Sequence, residues 1–245
     1  MIAPLPANET ERLQALREYQ ILDTETEESY DDITTLAAHM CATPIAMISL
    51  VDEVRQWFKS KVGLAQQQTP REVAFCAHAI HQEKPFIVRD ATRDKRFADN
   101  ALVTGEPQIR FYAGIPLVNP EGLALGTLCV IDHQPRRLTA EQQKALEALS
   151  RQVVALLEFR RISNRLATAL DHVKTLQALL PICSWCKRVR DDEGYWSRVE
   201  TYFHDHVGAD FTHGICPVCM KKVRRSMRRV LRRQMAANPP GTPEN

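Results

Sequence analysis

Apolar residues recur at alternating steps of three and four in the second half of the chain. Phe159, Ile162, Leu166, Ala169, Val173, Leu176 and Leu180 keep one register for three heptads, close to the minimum for a coiled-coil seam. Upstream, Leu146, Leu149, Val153 and Leu156 follow the same rhythm, but two consecutive steps of three, from Val153 to Leu156 to Phe159, shift it. A register change of that kind alters supercoiling locally. One helix is therefore expected from about Leu138 to Ile182, with Thr139 as its N-cap and Gln142 at the reciprocal capping-box position. Such a helix is more than twice the usual globular length and needs a surface to lie on, either its own domain or a second copy.

The first half reads as mixed elements. Asn8, with Glu11 three residues on, suits the start of a helix whose Leu13, Leu16 and Tyr19 share a side. A second helix is expected from Glu27 to Met40, with Tyr30, Ile33, Leu36, Ala37 and Met40 inward. Ile45–Val51 is almost wholly apolar, as a central strand would be. In the next strand, Arg55–Val62, Gln56, Phe58 and Ser60 alternate with Trp57, Lys59 and Lys61. A polar loop from Gly63 to Pro70, a short helix over Glu72–His81 and a brief strand at Phe86–Val88 follow. Ala91–Val103 reads as a loop with helical turns. Phe111–Val118 and Leu123–Ile131 then pair as a hairpin over Asn119-Pro120-Glu121-Gly122. Helices, mixed strands and a closing helix make an α+β domain.

Composition divides the 245 residues unevenly. Hydrophobic content of 44% supports a real core, and no apolar run is long enough to span a membrane. The start lacks the basic and apolar segments of an export signal, so a cytoplasmic protein is expected. The net charge of +2 hides an asymmetry, because eight basic residues and no acidic one lie between Lys221 and Arg233. Without them the chain stands at −6, so the basic character belongs to the tail. There Val223, Met227, Val230, Leu231 and Met235 share one side of a helix over 221–235, which could meet its own module, an anionic membrane or nucleic acid.

Four of the seven cysteines form two CxxC pairs, Cys183 with Cys186 and Cys216 with Cys219, with 29 residues between the pairs. Two residues between thiolates let one tight turn aim both at a single ion, and a second pair completes a tetrahedron. All-thiolate ligation favours one structural zinc per chain; an iron centre and a metal-free redox dithiol are the alternatives. The surrounding apolar set, including Val189, Trp196, Val199, Phe203 and Phe211, is small enough that a metal or a partner is needed for folding.

The segments NETERLQALREYQILDTETEESYDDIT, ISLVDEVRQWFKSKVGL, FCAHAI, DATRDKRFADNALVTGEPQIRFYAGIPL and GTLCVIDHQPRRLT together resemble a GAF domain of the bacterial signalling subgroup, over about residues 5–160. The resemblance implies a six-stranded antiparallel sheet with helices on one face and a loop-covered pocket on the other. It names no ligand, since such domains take cyclic nucleotides, tetrapyrroles, haem, iron or small metabolites. An enzyme reducing free methionine sulfoxide shares this fold, but its cysteine spacing does not match here. A second stretch, VKTLQALLPICSWCKRVRDDEGYWSRVETYFHDHVGADFTHGICPVCMKK, resembles a cysteine-rich tail found on bacterial sensor proteins.

These readings define an architecture: a sensory domain over 1–158, a coiled-coil signalling helix over 159–182, a zinc-ribbon-like or treble-clef-like four-cysteine module over 183–222, a basic helix over 223–237 and a disordered end over 238–245. The expected ligand site for an unidentified small molecule comprises Trp57, Cys76, His78, Arg110 and Tyr112. Arg110 is placed either at the ligand or in a salt-bridge network with Asp90, Asp94 and Arg96. Cys129 reads as a buried small hydrophobe. The expected function is a non-enzymatic cytoplasmic sensor or adaptor, homodimeric through 159–180, passing a signal to a zinc module and a protein partner. The rivals are a redox protein using the CxxC pairs and a DNA-associated regulator acting through the basic helix.

Overall fold

In the computed structural model, which describes residues 2–82, 84–177, 180–191 and 193–237 without the side chains of 173–177 and 231–237, the chain forms two units, 1–171 and 172–245. The expected seam side chains Val173 and Leu176 and the expected disordered end 238–245 lie outside the described residues.

The first unit is built around β1 (Ile45–Val51), buried along its whole length because it lies between two apolar layers. Successive strand residues point to opposite faces. Ala46, Ile48 and Leu50 therefore join one core cluster, and Ile45, Met47 and Val51 join another. The remaining strands are β2 (Arg55–Val62), β3 (Gln68–Pro70), β4 (Phe86–Val88), β5 (Phe111–Val118) and β6 (Ala124–Asp132). They form one six-stranded sheet in the order β3-β2-β1-β6-β5-β4, with every neighbouring pair antiparallel. The loop expected over 63–70 thus ends in a strand. Pro70 fits there because an edge position needs no second ladder donor.

One face is covered by α1 (Glu9–Glu18), α2 (Glu28–Cys41) and the first part of α5 (Ala140–Gln177). Their Leu16, Tyr19, Tyr30, Ile33, Ala37, Leu146, Val153 and Leu157 pack on Ile48, Leu50, Trp57, Phe111, Ile115 and Val130 of the sheet. Across the sheet lie a single 3-10 turn (Arg71–Val73), α3 (Phe75–Ala79), α4 (Ala101–Thr104) and their loops. Two elements replace the one helix expected over 72–81, and Ala74 between them is extended.

The ends of the helices differ in how they are satisfied. Asn8 makes no side-chain cap. Instead Glu9 accepts from Arg12 at 2.8 Å and 2.9 Å, while Arg12 also donates to the Val51 carbonyl at 2.6 Å. At α5 the capping box forms in both directions: the Thr139 amide donates to Gln142 at 3.0 Å, and the Gln142 amide donates to Thr139 Oγ1 at 3.1 Å.

The strict alternation expected in β2 is broken by a bulge. Ser49 pairs with Phe58 and Ile48 with Ser60, so Lys59 is the extra residue. Both Lys59 and Ser60 consequently reach the helical face. Lys59 donates to Glu27 at 2.6 Å and Thr24 at 2.9 Å, and Ser60 donates to Asp31 at 2.6 Å.

Helix α5 changes role along its length. Leu146, Ser150, Val153, Leu157 and Arg161 are its buried positions in the first unit. Arg161 ends that stripe, paired with Glu121 at 2.9 Å and Glu158 at 2.7 Å and lying 5.1 Å from the Tyr19 ring. Phe159, Ile162, Leu166 and Leu170 point elsewhere and are exposed.

The second unit contains a hairpin of β7 (Val189–Arg190) and β8 (Trp196–Ser197), then α6 (Val199–Val207) and α7 (Pro217–Ala237). Val189 is its buried hydrophobic residue among those described, and Trp185, Tyr195, Val207, Phe211 and Ile215 are exposed. No described helix is long and apolar enough to cross a membrane.

Candidate functional site

A cavity of about 90 Å³ lies on the face of the sheet opposite the long helices. Its floor comes from inward positions of three strands: Met47 of β1, Gln56 and Phe58 of β2, and Ile131 of β6. Tyr112 of β5, Phe75 and Cys76 of α3, Leu102 of α4 and Ile109 form the walls. Leu64, Gln66, Glu106 and Pro107 of the covering loops complete it. The lining is mostly apolar, with Gln56, Gln66, Thr69, Glu106 and Tyr112 as its polar residues, the make-up of a small-molecule site.

Behind that wall the polar groups converge on one sulfur. Thr127 Oγ1 donates to Cys76 Sγ at 3.1 Å, Tyr112 Oη donates to it at 3.3 Å, and Cys129 Sγ lies 4.0 Å away. Tyr112 can reach Cys76 because its ring folds back along β5 over Gly114, where any Cβ would overlap the tyrosine hydroxyl. Burial alone would raise the Cys76 thiol. Hydrogen bonds from Cys129, Thr127, Tyr112 and Ser49 outweigh it, so Cys76 titrates below the ordinary thiol value. Burial and the neighbouring Cys76 charge push Cys129 and Tyr112 well above theirs. The hydroxyl donors of the cluster thus aim at Cys76 Sγ.

Of the five residues expected at the site, Cys76 and Tyr112 line the cavity. Trp57 does not: it sits one residue from Gln56 and Phe58, so it faces the helices and joins their core. His78 packs edge-on to Phe97 at 4.8 Å and stacks 6.5 Å from Phe86, outside the cavity lining. Arg110 is not among the residues lining the cavity, and it does not pair with Asp90 or Asp94. Its guanidinium donates to the carbonyls of Val103 at 2.8 Å and Ile109 at 3.2 Å, while Asp94 holds Arg96 at 2.6 Å. Gln56 and Phe58 were readable from the alternation of β2 once one face was known to carry the site. Leu102, Glu106 and Pro107 come from loops with no such signal.

The four tail cysteines fall into two local arrangements. Around Cys183 the chain makes a tight turn, with Lys187 at φ +62° and its amide donating to the Cys183 carbonyl at 3.0 Å. The Cys186 amide faces Cys183 Sγ at 3.5 Å. Cys216 precedes α7, and the Cys219 amide faces its Sγ at 3.4 Å. Backbone N–H groups lower both Cys183 and Cys216, as they would for thiolate ligands. Each pair therefore has donor chemistry suited to a soft cation, but among the described residues no three His, Cys, Asp or Glu side chains converge on a common point. The expected closed module of four cysteines is not assembled as a single centre among those residues.

Residues 25–157 match the GAF domain family. The chain belongs to that family. A cyclic di-GMP phosphodiesterase of Pseudomonas aeruginosa is 46% identical over 162 residues, which span 66% of this chain and 28% of that protein. Among solved structures, the GAF domain of an Acinetobacter phosphoenolpyruvate-protein phosphotransferase is similar at 18% identity and a TM-score of 0.47, covering 63% of this chain and 98% of that one. The PixJ GAF domain of Thermosynechococcus elongatus, in its blue-light absorbing form, gives 15% and 0.48, covering 69% and 98%. The GAF match ends before the CxxC pairs, so it carries no support for the cysteine-rich tail. The expectation of a strictly non-catalytic sensor or adaptor is overturned. A relative this similar is named as an enzyme, so a sensor or adaptor divorced from catalysis does not follow from the GAF fold.

Proposed function

We propose that this chain is a GAF-domain signalling protein of cyclic di-GMP turnover, in which a small, largely apolar effector in the cavity beside Cys76 and Tyr112 regulates phosphodiesterase activity. The observation that carries the reading is the cavity, walled by sheet and loops, in a chain that shares 46% identity over 162 residues with a cyclic di-GMP phosphodiesterase. Its size argues against the dinucleotide as the occupant. Sites for drug-sized molecules run to roughly 300–1,000 Å³, against about 90 Å³ here. An effector of a few heavy atoms, holding Gln56 or Thr69 by one polar atom, fits the lining.

Two further parts of the proposal concern assembly. The exposed Phe159, Ile162 and Leu166, which keep the 3-4 steps of a heptad seam, support a homodimer along α5 because a second copy offers the complementary seam. The two CxxC turns, one before the β7–β8 hairpin and one at the start of α7, support a treble-clef-like zinc module in which Cys183, Cys186, Cys216 and Cys219 hold one structural ion.

The regulatory reading is tested by measuring cyclic di-GMP in cells that lack the protein, that express it, and that express Phe58→Trp, which fills the cavity. Removal and expression should move the cyclic di-GMP pool in opposite directions, and the Trp variant should no longer respond to the signal that moves the wild type. A pool unchanged by both removal and expression overturns the assignment.

A further inference from the structure

The GAF family leaves one buried group unexplained, the sulfur pair behind the cavity. Cys76 and Cys129 come from elements far apart in sequence, α3 and β6, and their sulfurs are 4.0 Å apart. The two are not equivalent. Cys76 forms part of the cavity wall, while Cys129 lies behind it. Both are fully enclosed otherwise, yet the cavity rim includes Gln66 and Glu106, which are solvent-exposed. Cys76 thus lines a cavity that residues exposed to solvent also line.

We propose that Cys76 is a modification site for small hydroperoxides, and that Cys129 resolves the oxidised sulfur as an intramolecular disulfide. Cys76 sulfur attacks the nearer peroxide oxygen, so an S–O bond forms, the O–O bond breaks, and water or an alcohol leaves with the thiol proton. Cys129 sulfur then attacks the Cys76 sulfenic acid; the S–S bond forms and water leaves with the second proton. Two thiols and one hydroperoxide thus become one disulfide, one water and one alcohol or second water. A dithiol reductant restores both cysteines by exchange.

The surroundings fit each step. Thr127 and Tyr112 hydroxyls donate to Cys76 Sγ and would hold the negative sulfur. Cys129 keeps its proton until the sulfenic acid has formed, since burial and the charge on Cys76 both raise it. Closing the bond requires the sulfurs to approach from 4.0 Å to about 2.05 Å, which side-chain rotation and a shift of the five-residue α3 would have to supply. The crosslink staples α3 to β6 in the wall of the cavity, so oxidation and ligand occupancy act on the same element. The inference does not depend on cyclic di-GMP or on which effector binds.

Cys41 supplies the internal control. It is buried on the opposite face, in the helical core, where burial pushes its thiol up to about 11. The test treats the reduced full chain with hydrogen peroxide, alkylates the remaining thiols after denaturation and maps every cysteine by peptide mass spectrometry. A Cys76–Cys129 linked peptide is expected, with Cys76 lost at least about tenfold faster than Cys41, as thiolate fraction governs reactivity. In Cys129→Ser, dimedone should label Cys76. If Cys76 stays reduced after Cys183, Cys186, Cys216 and Cys219 are fully oxidised, or is lost only in step with Cys41, the proposal fails. A Cys129→Ser chain that melts like the wild type yet takes no dimedone at Cys76 also overturns it.

Discussion

Glu9 shows how much one carboxylate can hold together. It bridges Arg12, which is buried, and the Arg71 guanidinium at 2.5 Å, so it joins α1 to the turn that leads into α3. Burial raises the Glu9 carboxyl, but the bonds and charges of Arg12 and Arg71 outweigh it and bring the group from 4.5 down to about 2. A carboxylate depressed in the folded chain adds stability that is complete above its unfolded value and is lost as pH falls through the folded one. The window here is pH 4.5 down to about 2. Glu9→Gln should therefore cost about 2 kcal/mol at pH 7, the worth of hydrogen bonds to charged groups. Denaturant titration at several pH values should show that deficit shrinking below pH 4.5. A deficit independent of pH would mean that lost packing, not charge, is responsible. The site residues were legible to a different degree. FCAHAI marked Cys76 in the sequence, and Tyr112 was named only as one of several residues of the expected ligand site. What drew them together was Gly114, whose missing side chain is informative only once the tyrosine is seen lying across it.

Among the elements, α5 carries the most consequence. Its capping box and length were plain from Thr139, Gln142 and the run of apolar steps, and the strands β1, β2, β5 and β6 were equally plain from their apolar runs and alternation. The face that α5 turns to the first unit was less so. Leu157 and Arg161 continue the buried stripe, whereas the heptad register had favoured Leu156 and Phe159; Leu156 is only partly buried, and Phe159 is 72% exposed. The reason is that charge, through Arg161 with Glu121 and Glu158, completes a stripe that apolar periodicity cannot register. The bulge at Lys59 was hidden for a related reason, since its driving contacts with Glu27 and Thr24 lie 32 and 35 residues away in sequence. Because Phe159 and Leu166 are exposed, Phe159→Glu combined with Leu166→Glu should leave the melting of the first unit nearly unchanged, within the roughly 0.5 kcal/mol typical of surface substitutions. The proposed dimer should instead dissociate, because two charges per chain would enter its seam. Sedimentation velocity distinguishes the outcomes: a double variant that sediments like a dimeric wild type places the contact elsewhere, and a monomeric wild type removes it.

The two units of the molecule differ in what can stabilise them. Residues 1–171 bury two apolar clusters on the two faces of one sheet, ample for a domain to fold alone. Residues 172–245 bury Val189 and leave Trp185, Tyr195, Phe211 and Ile215 exposed among the described side chains. Hydrophobic burial of that extent does not offset the entropy of ordering such a segment. The two CxxC turns are what the second unit has in its place, each with a thiol lowered by backbone N–H groups. If one zinc ion binds all four thiolates, its binding free energy becomes folding free energy for this unit alone. Elemental analysis of the purified chain should then give a zinc-to-chain ratio of about one. A strong chelator should abolish protection of α6 and α7 amides from hydrogen exchange while leaving β1, β5 and β6 protected, and zinc should restore it. Cys183→Ser with Cys216→Ser should reproduce the chelated state without chelator. Protection of α6 and α7 that survives full metal removal would mean that packing against a partner, not a metal, holds the second unit together.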